Sequence, residues 1–212
     1  MTGGTGYVGS RLVAALAARG HEVRVLTRAA SAGRVPPMVR AVIGDALDAA
    51  SVRAAIEPGD TVVHLVGTPH PSPAKAHAFQ AVDLVSIRAT TAAASGRAAH
   101  LVYVSVAHPA PMMKAYIAVR SAGEAMVAAT GIPATVLRPW YVLGPGHRWP
   151  LALVPLYAIA RHVPRWRDGA ARLGLVTVGQ MVAALVAAVE HPPADGTRIV
   201  EVPAIRSASF GA

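Results

Sequence analysis

Thr2-Gly3-Gly4-Thr5-Gly6-Tyr7-Val8-Gly9 sets glycines at positions 3, 6 and 9 and runs straight into a helical pattern. Gly3 permits a tight turn, Gly6 lets the backbone approach a pyrophosphate, and Gly9 lets the helix pack closely on a sheet. The helix N-terminus then presents free N–H groups and a partial positive charge to phosphate oxygens. An ordinary turn and helix cap would use the same residue types, so context decides. Here the glycines open a helix that leads into a strand, and dinucleotide binding is the expectation. At the end of that strand stand Thr27-Arg28, with Arg34 beyond. NAD-preferring sites carry an acidic residue there for the ribose 2′-hydroxyl. A guanidinium suits the 2′-phosphate of NADP(H) instead, through paired, charge-assisted hydrogen bonds. The plain alternative is a solvated arginine at a strand end.

The elements that must position these residues alternate strand and helix. Leu12, Val13, Leu16 and Ala17 form one helical face, with Gly20 as its C-terminal cap. Residues 22–27 and 39–43 read as strands. Asp48 caps a helix running through Ile56 and ended by Pro58-Gly59. Thr61 to Val66 is an apolar run typical of a strand buried on both faces. After a loop with Pro69, Pro71 and Pro73, one long helix is expected over about 74–95. Strands follow at 100–105 and 134–137, with a helix over 112–130 between them, and 178–189 and 199–202 close the pattern. Such alternation specifies an α/β fold, a doubly wound parallel sheet with helices on both faces. Its ligands bind at the carboxyl ends of the strands, near the point where strand order reverses.

Composition bounds the function further. The chain has 212 residues, 53% apolar and 15% charged, enough for one domain with a substantial core. It contains no cysteine, which excludes disulfides and thiolate chemistry. Met1-Thr2-Gly3-Gly4 lacks the basic and apolar stretches of a signal peptide. The run between Arg172 and Glu190 falls short of the roughly 18–20 apolar residues a membrane span needs. A soluble, cytoplasmic protein is expected. The formal charge is +9, but the arginines are scattered. Their densest group, Arg161, Arg165, Arg167 and Arg172, encloses Asp168. That argues against a nucleic-acid surface and for a field that attracts phosphorylated ligands. The nine histidines form no His-Glu-x-x-His pair or other metal-ligand spacing, and no Gly-x-Ser-x-Gly elbow is present. His64, inside an apolar strand, reads as a core residue. Trp140, Tyr141, Trp149, Tyr157 and Trp166 form an aromatic group suited to core packing or a substrate pocket.

Several further stretches occur in order: Leu26-Thr27-Arg28, Gly44-Asp45-Ala46-Leu47-Asp48, Val63-His64-Leu65-Val66-Gly67, Tyr103-Val104-Ser105 and Leu137-Arg138-Pro139-Trp140-Tyr141-Val142-Leu143-Gly144-Pro145-Gly146. With the glycine loop, they make the chain resemble the atypical and extended members of the short-chain dehydrogenase/reductase superfamily, including NmrA-like and epimerase-like proteins. The resemblance covers most of the chain and implies a Rossmann-like core over 1–146 and a reduced substrate cap over 147–212. It implies cofactor contacts from Gly3, Thr5, Gly6, Tyr7, Val8, Gly9, Arg28, Asp45, Ala46, Val66, Gly67 and Pro139. Asp45 would meet the adenine, or serve only as a turn residue. A side chain at Gly67 would collide with the ribose, or the glycine simply ends a strand. Ahead of the glycine loop a first strand of about six apolar residues is expected in the middle of the sheet. Only Met1 and Thr2 stand there, so a start upstream is expected.

The resemblance also implies reductive machinery: a serine that holds the substrate oxygen and a Tyr-x-x-x-Lys helix that handles the proton. Ser105 matches the serine. Tyr116-Ile-Ala-Val-Arg120 matches the helix, with arginine in place of lysine. Tyr116 and Arg120 share a helical face. Arg120 offers charge and donors to the ribose but does not release a proton at working pH. Alternatively, Arg120 pairs with Glu124 on the surface and Tyr116 is a buried aromatic. Asp83 stands where many extended members carry asparagine. The expected function is an NADP(H)-dependent oxidoreductase acting on a small carbonyl or alcohol. The rival is a non-catalytic dinucleotide-binding sensor. A nucleotide-sugar epimerase or dehydratase is disfavoured by the short cap.

Overall fold

The computed structural model describes residues 1–145 and 172–210. The expectations for Gly146, Trp149, Tyr157, Arg161, Arg165, Trp166, Arg167 and Asp168 lie outside those residues. Helix α1 (Tyr7–Ala18) leads to strands β1 (Arg24–Thr27) and β2 (Arg40–Ile43), joined through a 3-10 turn at Ala29–Arg34. Helix α2 (Ala49–Ala54) starts at Asp48, whose carboxylate accepts the N–H groups of Ala50 and Ser51. Strand β3 (Thr61–His64), helix α3 (76–94), β4 (His100–Val104), helix α4 (Lys114–Ala129) and β5 (Ala134–Arg138) continue the alternation. A short parallel pair, β6 (Tyr141–Leu143) and β7 (Leu175–Thr177), precedes helix α5 (Val178–Glu190). Strand β8 (Thr197–Glu201) and helix α6 (Val202–Ser207) follow.

All ladders in the main sheet are parallel, and the order is β2-β1-β3-β4-β5-β8, with Thr2 bridging Leu26 and His64. Neighbouring strand residues serve opposite faces, because side chains alternate across a sheet. Val25, Val63, Val102 and Leu137 join α1 and α5 in one core cluster. Leu26, Val62, Leu101 and Val136 join α2, α3 and α4 in the other. Both faces are therefore covered, which is the doubly wound, Rossmann-like arrangement. The edge strand β2 leaves Ile43 exposed.

Among the described residues, Met1 and Thr2 bridge the middle of the sheet. Thr2 donates its N–H to the Val63 carbonyl at 2.9 Å, and Leu26 donates to the Met1 carbonyl at 2.9 Å. Leu65 donates to the Thr2 carbonyl at 3.1 Å. These bonds join β1 to β3 at the level of the glycine loop. Beside them lies a cavity of about 260 Å³ lined by Val23, Arg24, Asp60, Thr61 and Val62. The Arg24 Nη2–Asp60 Oδ1 ion pair, at 2.5 Å, spans β1 and the start of β3 there.

Three elements differ from the sequence reading. The helix expected over 74–95 begins with a 3-10 turn (Pro73–Lys75) and an α-turn (Ala76–Ala78). It then widens into a π-helical segment (Phe79–Leu84) before the α-helical Val85–Ala94. The final strand ends at Glu201, because Pro203 favours the first turn of a helix and Val202 opens α6. The β6–β7 pair joins residues far apart in sequence, so no local pattern announces it.

Candidate cofactor cleft and active site

The glycine loop is held by close backbone contacts. Gly3 has φ +75°, and a Cβ there would lie 2.7 Å from the Leu65 carbonyl carbon. Both facts demand glycine. A Cβ on Gly9 would strike the Gly3 carbonyl oxygen, so α1 packs against the loop only without one. Gly6 is the N-cap of α1 and supplies no side-chain cap. The first-turn N–H groups thus stay available for an anion.

These residues open onto a cleft of about 470 Å³ at the carboxyl ends of β1, β2 and β3. Gly3, Thr5, Gly6, Arg28, Asp45, Ala46, Val66 and Gly67 line it. Tyr7, Val8 and Gly9 stand in the first turn of α1 just behind it. Pro139 lies after β5, where its carbonyl accepts the Ala107 N–H at 2.9 Å. Arg28 is exposed on the cleft wall. Asp45 has both anticipated features: Oδ1 accepts the Leu47 N–H at 2.9 Å, forming a turn, and the residue also faces the cleft. Ser31, Pro69 and Val82 also line the cleft and stand outside the motif stretches named above. Ser31 follows Arg28 within one 3-10 turn, a spacing that could have drawn attention to it.

The second cluster forms where α4 meets the end of β4. Gly123 permits the approach, since a Cβ there would strike the Tyr103 hydroxyl. Ser105 is 3% exposed and donates its hydroxyl proton to Glu124 Oε1 at 2.5 Å. Arg138 grips the same carboxylate, Nε to Oε1 at 3.0 Å and Nη2 to Oε2 at 2.5 Å. Arg138 Nη1 reaches Glu201 at 2.9 Å, and His108 Nε2 lies 3.4 Å from Glu124 Oε1. Burial works to raise the Glu124 pKa, but hydrogen bonds from Arg138 and Ser105 outweigh it and hold it below the usual glutamate value.

Tyr116 is half-buried, its ring centroid 4.9 Å from that of Phe79. The Arg120 guanidinium carbon sits 5.2 Å from the Tyr116 ring centroid. Arg120 does not pair with Glu124 on the surface. It is 5% exposed, and Nη2 donates to Asp83 Oδ1 at 2.8 Å. Nη1 donates to the Val104 carbonyl at 3.0 Å and the Val66 carbonyl at 3.4 Å. Arginine has the reach and the donors to span these acceptors from α4, whereas Glu124 is occupied by Arg138. Burial opposes the charge on Arg120, but the oxygens of Tyr116, Tyr103 and Asp83 outweigh it and keep the guanidinium protonated. A Cβ on Gly67 would meet Arg120 Nη2, so within this chain that glycine makes room for the guanidinium.

His64 is a core residue, as its apolar strand suggests. Its Nδ1 lies 3.0 Å from Thr2 Oγ1 and 2.9 Å from Thr90 Oγ1. Burial, and then the charge of Arg120, lower its pKa to about 3, so it is neutral. Trp140 and Tyr141 pack edge to face, with centroids 5.5 Å apart. Among the described residues no group of His, Asp or Glu could hold a metal ion, and no helix is long and apolar enough to cross a membrane.

A family model described as NAD dependent epimerase/dehydratase family matches residues 1–202. The chain belongs to that family. It is 30% identical over 201 residues to a ceramide reductase from Caulobacter vibrioides, covering 91% of this chain and 61% of that protein. It is 30% identical over 218 positions to a 3-diazoavenalumate denitrifying reductase from a Streptomyces species, covering 90% and 71%. A 3-beta-hydroxysteroid dehydrogenase from Mycolicibacterium neoaurum matches over 64 residues at 41% identity, 30% of this chain and 18% of that enzyme. The chain thus spans under two thirds of two of these three relatives. In fold, it is similar to a short-chain dehydrogenase/reductase superfamily protein from Agrobacterium tumefaciens with bound NAD. That pair has a TM-score of 0.67 at 20% identity, covering 94% of this chain and 76% of the other. The Thermus thermophilus UDP-glucose 4-epimerase in complex with NAD gives 0.67 at 24% identity over the same shares.

Proposed function

We propose that this epimerase/dehydratase-family chain is an NADP(H)-dependent oxidoreductase acting on a small carbonyl or alcohol. The observation that carries the reading is the cleft in which the Gly3–Gly9 loop, Arg28 and Gly67 converge at the carboxyl ends of β1 and β3. Its residues fit a dinucleotide: the Gly3–Gly9 backbone cradle would be filled by a Cβ, and the first turn of α1 is uncapped. Gly3, Thr5 and Gly6 would hold the pyrophosphate, Asp45 and Ala46 the adenine side, and Arg28 the 2′-phosphate. When bound, the cofactor supplies or accepts a hydride.

Ser105 orients the substrate oxygen. Its hydroxyl proton, held by Glu124 here, turns toward the substrate oxygen by rotation about Cβ–Oγ, so Ser105 donates a hydrogen bond and leaves the substrate's own proton to Tyr116. Tyr116 takes or returns the hydroxyl proton through its phenol oxygen. Arg120 keeps a positive charge beside the Tyr116 ring, 5.2 Å from its centroid. The two reductase relatives and the dehydrogenase support this class of reaction. The test is turnover of NADPH or NADP⁺ against a panel of small ketones and secondary alcohols, with Ser105→Ala as the control. Activity retained in Ser105→Ala would remove Ser105 from the scheme.

One observation favours a second reading, a dinucleotide-binding sensor without catalysis. Arg120 directs its Nη groups to Asp83, Val104 and Val66. Cofactor binding with no turnover on any panel member would select this reading. The family also keeps a third, sugar-nucleotide reading open, for which UDP-sugar turnover is the discriminating assay.

A further inference from the structure

Two pairs of residues face each other across α3 and α4 at matched spacing. Phe79 and Asp83 stand four apart in the π-helical segment of α3, and Tyr116 and Arg120 stand four apart on α4. Phe79 packs on Tyr116 at 4.9 Å, and Asp83 pairs with Arg120 at 2.8 Å. Both α3 residues are at most 1% exposed. A carboxylate buried this deeply is costly unless its oxygens are filled. Asp83 meets that condition with its second oxygen, which accepts the Thr68 N–H at 2.9 Å and the Thr68 hydroxyl at 2.6 Å.

These bonds link three structures. Thr68 follows Val66 and Gly67, which line the cofactor cleft, while Arg120 also holds the Val66 carbonyl. Neither Asp83 nor Arg120 lines the cleft. We infer that Asp83 is a positioning residue: it ties the cleft wall at 66–68 to the Tyr116–Arg120 helix, and dinucleotide affinity depends on this ion pair beneath the wall. The inference rests on the proposed cofactor reading and adds to it a residue that no cofactor contact would reveal. The π-helical widening at 79–84 is part of the device, since π-turns recur at functional sites and this one carries both facing side chains.

The test is a double-mutant cycle read as NADH dissociation constant, well below the melting temperature, on wild type, Asp83→Asn, Arg120→Met and the double variant. Each single change leaves one buried group without its charge partner, and each should weaken NADH at least about tenfold. The double variant should bind no worse than the weaker single variant. Leu185→Ala, in the α5 core, should lower the melting temperature while leaving NADH affinity within about twofold, separating lost stability from lost positioning. Thr68→Val keeps both charges and removes one hydrogen bond, so it covers the case in which a charge variant does not fold. It should weaken NADH about threefold to tenfold. Multiplicative losses in the cycle, or unchanged affinity in Thr68→Val, would overturn the inference while leaving the cofactor reading intact. Wild type that binds neither NADH nor NADPH would overturn both.

Discussion

Asp83 Oδ1 lies 2.8 Å from Arg120 Nη2 in a part of the molecule that is almost closed to solvent. Removing one member of such a pair leaves the other charge uncompensated, which costs about 3–5 kcal/mol, whereas replacing both can be nearly neutral. Asp83→Asn should therefore lower unfolding free energy by an amount of that order, measured by urea titration. A loss below about 1 kcal/mol would mean the pair is no stronger than a surface contact.

In the proposed reading Arg28 sets the choice between cofactors. Hydrogen bonds to charged groups contribute about 1.5–3 kcal/mol, so Arg28→Ala should weaken NADPH by roughly ten- to a hundredfold and leave NADH within a few-fold. Fluorescence titration of both nucleotides reads the ratio. Equal losses would show that Arg28 does not read the 2′-phosphate.

Tyr116 is the proton-handling group in the proposed scheme. Tyr116→Phe keeps the ring on Phe79 and removes only the hydroxyl, so NADPH affinity should hold while turnover falls by about 10²–10⁴-fold. Turnover equal to wild type would transfer that role to another group.

Glu124 makes stability depend on pH. Its folded pKa lies below the ordinary 4.5, the direction set against burial by Arg138 and Ser105. The unfolded chain therefore binds the proton more readily. The stabilisation is present above about pH 4.5 and is lost as pH falls through the lower folded value. Urea midpoints at pH 7 and pH 3 should differ more in wild type than in Glu124→Gln. Equal differences would show that Glu124 does not couple folding to protons.

Much of this was legible in the sequence because it rests on local pattern. The glycine spacing, the Asp48 cap and the apolar strands each announce themselves within a few residues, and they define the sheet and the cleft. Apart from Tyr7, Val8, Gly9 and Pro139, the anticipated cofactor residues line that cleft. What escaped depends on contacts between distant segments. Residue type and spacing could not tell whether Arg120 would turn to Glu124, one turn away, or to Asp83 on another helix. The result follows from Arg138 already holding Glu124. The π-helical turn was equally hidden, since the partners of Phe79 and Asp83 are Tyr116 and Arg120, more than thirty residues away in sequence. At Gly67 the packing inside the chain adds a reason for glycine that the sequence does not display, since a Cβ there would meet Arg120 Nη2.

The central claim is that the cleft between the glycine loop and Arg28 holds a phosphorylated dinucleotide. Isothermal calorimetry of NADPH and NADH into the chain tests it most directly. One molecule bound per chain, with NADPH the tighter, is the predicted result. Heats indistinguishable from dilution for both nucleotides would contradict the account.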